Sequence, residues 1–198
     1  QLFLVERAAK GLSVRGYPTQ DGARAAELVL SNTPASLITA QGLNALSYAA
    51  DVGLAATCAE AVGLMDRLVA ITVEYLNTRK QFGVPIGKFQ VLQHRMVDCF
   101  TNAQEARSMT LMATLKIDDK DPVVRRKAAS GAKVQIGKSG KFCGQSAVQM
   151  HGGMGVTDEM AVSHYFKRLT QMEMTFGDTL HHLGEVSTRM GEHAGVFA

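Results

Sequence analysis

The feature that most constrains the fold is a change of hydrophobic period near Leu43. Downstream of it Leu46, Ala50, Gly53, Thr57, Ala61, Leu64, Leu68, Ile71 and Tyr75 recur every three or four residues, which predicts one long helix with a single buried face. Gly83, Pro85 and Gly87 interrupt the rhythm, and it resumes through Phe89, Leu92, Met96, Cys99, Ala103, Ala106, Thr110 and Ala113. The acidic stretch KIDDKDP breaks it again and ends in Pro122, well placed as the first residue of a third helix, Val123 to about Met150. HGGMG stops that helix, another is expected from Thr157 to Glu173, and FGDT at 176–179 precedes a last one reaching about His193. Four or five antiparallel helices on short loops make a mainly α, up-and-down four-helix-type bundle over residues 41–198.

The third helix is rich in small residues, including Gly131, Gly137, Gly140 and Gly144. Each interior Gly costs about 1 kcal/mol of helix propensity relative to Ala, so close approach to a neighbour must offset it. The expectation is self-association through the third and last helices. Residues 1–40 read differently: short apolar runs at Leu2–Val5, Leu12–Val14 and Leu28–Leu30 alternate with Gly11, Gly16, Pro18 and Gly22, the punctuation of strands and turns. Three short strands do not make a stable sheet alone. They read as the remnant of a β-domain, and the chain, which does not open on Met, as a fragment whose N-terminal part lies elsewhere.

Composition sets outer limits. With 46% apolar and 20% charged residues over 198 positions the chain is globular, and a net charge of +3 does not imply nucleic acid. Cys58, Cys99 and Cys143 are far apart, with no metal-binding spacing, and read as reduced cysteines of a cytoplasmic protein. No apolar run is long enough to span a membrane. Arg125, Arg126, Lys127, Lys133, Lys138 and Lys141 read as a solvated basic face. Met109, Met112, Met150, Met154, Met172 and Met174 read as core filler, and His151 as a loop residue, more readily solvated than in contact with a ligand beside Gly152. His181 and His182 are adjacent, too far apart around a helix to share a metal.

Two loops carry more chemistry than a turn requires: RKQFGVPIGKFQ, Arg79 to Gln90, and QMHGGMG, Gln149 to Gly155. A glycine pair at a helix end lets backbone N–H groups approach a phosphate or a flat ring, and an arginine supplies the bidentate cation that a pyrophosphate favours. Phe82 and Phe89 could wall an adenine. By spacing alone both loops read more readily as ordinary turns, with Gly as C-caps and the phenylalanines as core.

The wording of these loops, YLNTRKQFGVPIGKFQVLQHRMVD followed by VQMHGGMGVTDEMAVSHYFKRL, resembles the C-terminal helical half of acyl-CoA dehydrogenases, and the likeness extends over the whole chain. CAEAVGLMDRL and HYFKRLTQMEMTFGDTLHHL look most like bacterial small-subunit proteins of the pimeloyl-CoA dehydrogenase type. The resemblance implies an FAD-dependent dehydrogenase that converts an acyl-CoA thioester to its trans-2-enoyl form, with electrons passed to an electron-transfer flavoprotein. It implies that Arg79 reaches the FAD pyrophosphate, that Gln81, Phe82, Phe89, Gln90 and Leu92 line the adenosine side, and that Gln149, Gly152 and Gly153 approach from the second loop. It further implies a homo-oligomer, a dimer of dimers, or a heteromer with a homologous subunit.

The sequence departs from that family where the substrate is handled. Of a D-x-x-R pattern that engages CoA only Asp51 is kept, with Leu54 in place of the arginine. The family's catalytic glutamate has two known locations: here Gly53 stands at the first, and the second reads EMTFGDT, in which Asp178 is the nearest carboxylate. Asp178 is the candidate base; it equally suits a helix cap that reaches an N–H near His181. Glu173 reads as structural. Two rivals follow: a non-catalytic subunit that completes a flavin site, and a helical interaction module that has lost the chemistry.

Overall fold

The structure, a computed structural model, describes residues 1–190. The expected end of the last helix near His193 lies outside the described residues. The chain divides into two compact units, Gln1–Ala50 and Asp51–Ala198.

The first unit holds two antiparallel ladders. Strand β1 (Leu2–Leu4) pairs with β4 (Ser36–Thr39), and β2 (Leu12–Pro18) pairs with β3 (Arg24–Leu30) around a turn whose Gly22 has φ 84°. There are four strands here rather than the three expected, and β2 and β3 extend well beyond their apolar runs. Charged residues carry the extension: Arg15 lies opposite Glu27 with Nε and Oε2 3.9 Å apart, a cross-strand pair that an apolar-run reading passes over.

The helices follow the predicted order, the first beginning in the first unit and the rest lying in the second. Helix α1 spans Gly42–Thr78, α2 Gln90–Lys116, α3 Pro122–His151, α4 Ala161–Met174 and α5 Thr179–Met190. The period read for α2 is the observed one, with Met96, Cys99, Ala103, Ala106, Thr110 and Ala113 all buried. On α1 the buried line runs through Leu54, Cys58, Ala61, Met65, Leu68, Thr72 and Leu76, about one residue round from the line read in the sequence, and Leu46 is exposed. Pro122 does open α3, behind an Asp121 side chain that accepts the Val123 N–H at 2.8 Å. Helix α4 starts later than Thr157, because residues 152–156 form a 3-10 turn and Thr157 is extended.

Helix α3 packs against α2, α4 and α5, and its glycines explain how. A Cβ built at Gly144 would stand 2.9 Å from the Phe166 ring, one at Gly140 would touch Leu169, one at Gly131 would touch Met109, and one at Gly137 would overlap Thr179 and Glu173. These close contacts lie inside the chain, so the glycines of the third helix are not the self-association surface that was expected. Two further expectations are corrected. Arg125 and Lys133 are buried, so the basic stretch of α3 is only in part a solvated face; and Met112, Met154 and Met174 are on the surface while Met65, Met96, Met150 and Met172 fill the core. The three cysteines are free and buried, and burial pushes the Cys58 thiol up to about 12. Among the described residues no helix is long and apolar enough to cross a membrane.

Gly137→Ala should destabilise the protein by about 1–3 kcal/mol through overpacking, despite the helix propensity gained. Gly63→Ala, on an exposed part of α1 with open space around the added methyl, should stabilise it by roughly 0.5–1 kcal/mol. Urea unfolding midpoints of the two variants against the parent test the pair.

Candidate functional site

The segment between α1 and α2 is a rigid projection. Strands β5 (Lys80–Gln81) and β6 (Val84–Pro85) form a hairpin whose two turn residues, Phe82 and Gly83, have φ 54° and 81°. That is the primed turn geometry favoured by tight hairpins, and Phe is an uncommon residue for it. Behind the hairpin, the Ile86 N–H donates to Arg79 O at 2.8 Å and Gln93 Nε2 donates to Gly87 O at 2.8 Å. Gly87 lies so close to α1 that a Cβ there would be 3.0 Å from Leu76 O. Ile86 and Leu92 pack against the core.

Anchored in this way, the loop turns its chemistry outward. Phe82 is 90% exposed and meets Phe89 edge-on, ring centroids 6.0 Å apart. Arg79, Gln81 and Gln90 are exposed, and the Arg79 guanidinium has no hydrogen-bond or ion-pair partner among the described residues. The two phenylalanines are therefore not core, as an ordinary-turn reading would have them. Leu92 differs from the rest of its set in being half-buried.

The second loop leaves the end of α3. Gln149 is exposed, Gly152 has φ 61°, and a Cβ at Gly152 or Gly153 would meet nothing within 4 Å, so the backbone there is open to a ligand. His151 is not the solvated loop residue that was expected. It is the last residue of α3, 3% exposed, stacked on Tyr75 of α1 with centroids 4.2 Å apart, and its Nδ1–H donates to Ala147 O at 2.8 Å. Tyr75 Oη–H reaches His151 O at 3.4 Å. This pair ties the root of one loop to the root of the other and borders a hollow of about 340 Å³ lined by Glu74, Thr78, Met160 and Val162. Nothing in the sequence signalled this pairing; only the helical phase of Tyr75 pointed inward.

The substrate-side candidates lie toward the other ends of α1 and α3. Asp51 is 0% exposed and its two oxygens are held by Arg125 Nε at 2.8 Å and Arg126 Nε at 2.7 Å. The carboxylate expected to engage CoA is thus buried and paired inside the fold, by two arginines of α3. Asp178 is exposed and caps α5, its Oδ1 accepting the His181 N–H at 2.7 Å. Glu173 is structural, its Oε1 accepting the Thr179 N–H at 3.0 Å. What faces α1 from this loop is Phe176: its ring is 2.7 Å from where a Cβ of residue 53 would stand. Phe176 and Gly177 have φ 60° and 101°, the same Phe-Gly pairing as at 82–83; the repeated dipeptide was the available signal.

Three side chains hold that loop. Lys133, 0% exposed, donates from Nζ to Glu173 O at 2.8 Å and Gly177 O at 2.6 Å. His182 is buried; Nε2–H donates to Phe176 O at 3.0 Å and Nδ1 accepts from Ser130 Oγ at 3.1 Å. Burial lowers the Lys133 ammonium pKa, and burial lowers those of both His151 and His182. Among the described residues no group of three His, Cys, Asp or Glu side chains could hold a metal.

The sequence model described as the C-terminal domain of acyl-CoA dehydrogenase matches residues 40–191. The acyl-CoA dehydrogenase IpdE2 of Mycobacterium tuberculosis is 36% identical over 119 residues, 60% of this chain and 35% of the relative. A steroid acyl-CoA dehydrogenase structure, the Tcur3481-Tcur3483 G363A variant, superposes with a TM-score of 0.89 at 30% identity, covering 98% of this chain and 52% of that one. The ChsE4-ChsE5 complex of Mycobacterium tuberculosis has the same fold, with a TM-score of 0.85 at 22% identity over 96% of this chain and 52% of that one. The chain thus spans from about a third to a half of the proteins it matches.

Because His151 and His182 hold protons less readily folded than unfolded, the unfolded chain takes up protons first as pH falls through about 6.5, and stability falls with it. The urea midpoint should be lower at pH 5.5 than at pH 7.5. In His151→Phe, which keeps a ring against Tyr75 without titrating, that pH difference should shrink.

Proposed function

The chain belongs to the acyl-CoA dehydrogenase family, whose C-terminal domain it carries, and on that premise we propose that the whole protein is an FAD-dependent dehydrogenase forming a trans-2 double bond in an acyl-CoA thioester. One observation carries the reading: an exposed Arg79 without a partner among the described residues, an outward-facing Phe82–Phe89 pair and an open Gly152–Gly153 backbone stand on two loops locked together by Tyr75 and His151. None of these features serves the core, and together they suit a flat heterocycle attached to a pyrophosphate.

FAD, when bound, supplies the acceptor for the β hydrogen as hydride. Arg79 would hold its pyrophosphate through a two-pronged contact, and Phe82, Phe89 and Leu92 would wall the adenosine side. The side-chain amides of Gln81, Gln90 and Gln149 would add hydrogen bonds, and Gly152 and Gly153 would bring backbone N–H groups close. Such an outward-facing half-site needs a second chain to complete it. Exposed Val97, Phe100, Leu111 and Leu115 on α2, and Leu180 and Leu183 on α5, support association either with another copy, as a dimer of dimers, or with a homologous subunit. An electron-transfer flavoprotein would be the acceptor, and the reduced, buried cysteines support a cytoplasmic location.

A second reading concerns the base. Removal of the α proton needs a carboxylate facing the substrate, and here Phe176 fills the space over Gly53 while Asp178 turns its carboxylate to the α5 backbone. This favours a subunit that completes the flavin site and takes its base from a different chain. The pairwise names of the Tcur3481-Tcur3483 and ChsE4-ChsE5 structures accord with such an arrangement.

In the whole, assembled protein Arg79→Ala should lower flavin occupancy more than Arg79→Lys, because both lose the two-pronged contact but only the first loses the charge; equal and full occupancy in both would count against the pyrophosphate role. Asp178→Asn should leave flavin bleaching by acyl-CoA undiminished under anaerobic mixing, since Asn caps about as well as Asp. A loss of roughly 10²- to 10⁴-fold in bleaching rate would instead make Asp178 the base.

A further inference from the structure

The loop between α4 and α5 is gripped with a thoroughness that capping a short helix does not require. Two of its carbonyls, Phe176 O and Gly177 O, and one from the last turn of α4, Glu173 O, are taken by two buried side chains, Lys133 from α3 and His182 from α5. Ser130, one turn before Lys133, fixes the His182 ring from behind. A lysine kept wholly out of water to bond two backbone carbonyls is an uncommon use of that side chain, and it freezes the unusual backbone of Phe176 and Gly177.

What the grip delivers is the Phe176 ring. It is 49% exposed and lies against Gly53, where no residue with a Cβ fits unless the ring moves. The two positions are matched to each other, and the apolar residues beside them in sequence, Val52, Met174 and Leu180, are exposed as well. A large apolar ring held rigidly at the surface by buried polar groups has the character of a wall for an apolar ligand.

We propose that Lys133 and His182 are positioning residues that hold Phe176 over Gly53 as the wall limiting the width of the acyl group admitted beside α1. This rests on the dehydrogenase reading above. Phe176 meets the acyl chain; Lys133 and His182 act only through it. A narrow, straight acyl group passes the ring, and a cyclic one does not.

The test uses the whole protein in its assembled, flavin-loaded form, with butyryl-CoA and cyclohexylpropionyl-CoA as probes of narrow and wide acyl groups. Phe176→Ala, a change at a half-exposed side chain, should raise the ratio of kcat/KM for the wide probe over the narrow one by about tenfold. Lys133→Met, matched in length, should raise it by a similar factor, and the double variant by no more than either alone, because residues acting through one another are not additive. An unchanged ratio in Phe176→Ala, or multiplying effects in the double variant, overturns the proposal. Hydrogen exchange gives a reading independent of turnover. Lys133→Met should lose amide protection at residues 173–179 while α2 and the rest of α3 keep theirs, and retained protection at 173–179 overturns the clamp. A protein that binds flavin but is reduced by neither probe refutes the dehydrogenase reading, and the exchange experiment still decides the clamp.

Discussion

Everything in the helical unit depends on how closely other elements approach α3. Its inward face is built from Ala128, Ala129, Ala132, Gly137, Gly140, Gly144 and Ala147, so α2, α4 and α5 can lie against one helix without large side chains holding them off. The space saved is used by a few long or polar groups. Lys133 crosses it to the 173–177 backbone, Ser130 meets His182, and Phe166 and Leu169 settle over Gly144 and Gly140. Bulky residues along α3 would leave a bundle of similar outline with neither the buried lysine contact nor the tight seat at Thr179.

The same helix places the two chemical ends of the unit. Its C-terminus carries His151, Gly152 and Gly153 and, through Tyr75, fixes the base of the Arg79 hairpin. Its N-terminal half carries Arg125, Arg126, Ser130 and Lys133, which neutralise Asp51 and hold the Phe176 loop. About 20 residues of helix separate the two sets, roughly 30 Å at the usual rise. The exposed Arg79 and Gly152 loops and the gripped Phe176 loop are thus at opposite ends of one rod.

The helices were legible because their signal is local and repeated: six of the buried positions of α2 are those its period names. The Arg79 and Gly152 loops stood out through their wording, which resembles a known family, whereas spacing alone leaves them readable as ordinary turns. Other features were hidden for stated reasons. Strand β4 has only Leu37 and Ile38 as an apolar core and no alternation long enough to register. The burial of Lys133 and Asp51 depends on partners 40 to 74 positions away, which no window of sequence contains. His151 looked like a loop residue because the glycines after it were taken to end the helix before it.

The Asp51 ion pair has a consequence for the order in which the chain becomes structured. The carboxylate leaves the ribosome 74 positions ahead of Arg125, an interval of roughly 4 to 15 s at ordinary elongation rates. Until then neither of the arginines that pair with it in the fold exists, and a lone buried carboxylate is strongly disfavoured. The start of the second unit must stay hydrated while α2 is made, and it can close only when α3 has emerged. A contact whose net stabilisation is modest thereby acts as a checkpoint during synthesis, keeping the first helix of the bundle from burying the wrong face before its third member exists.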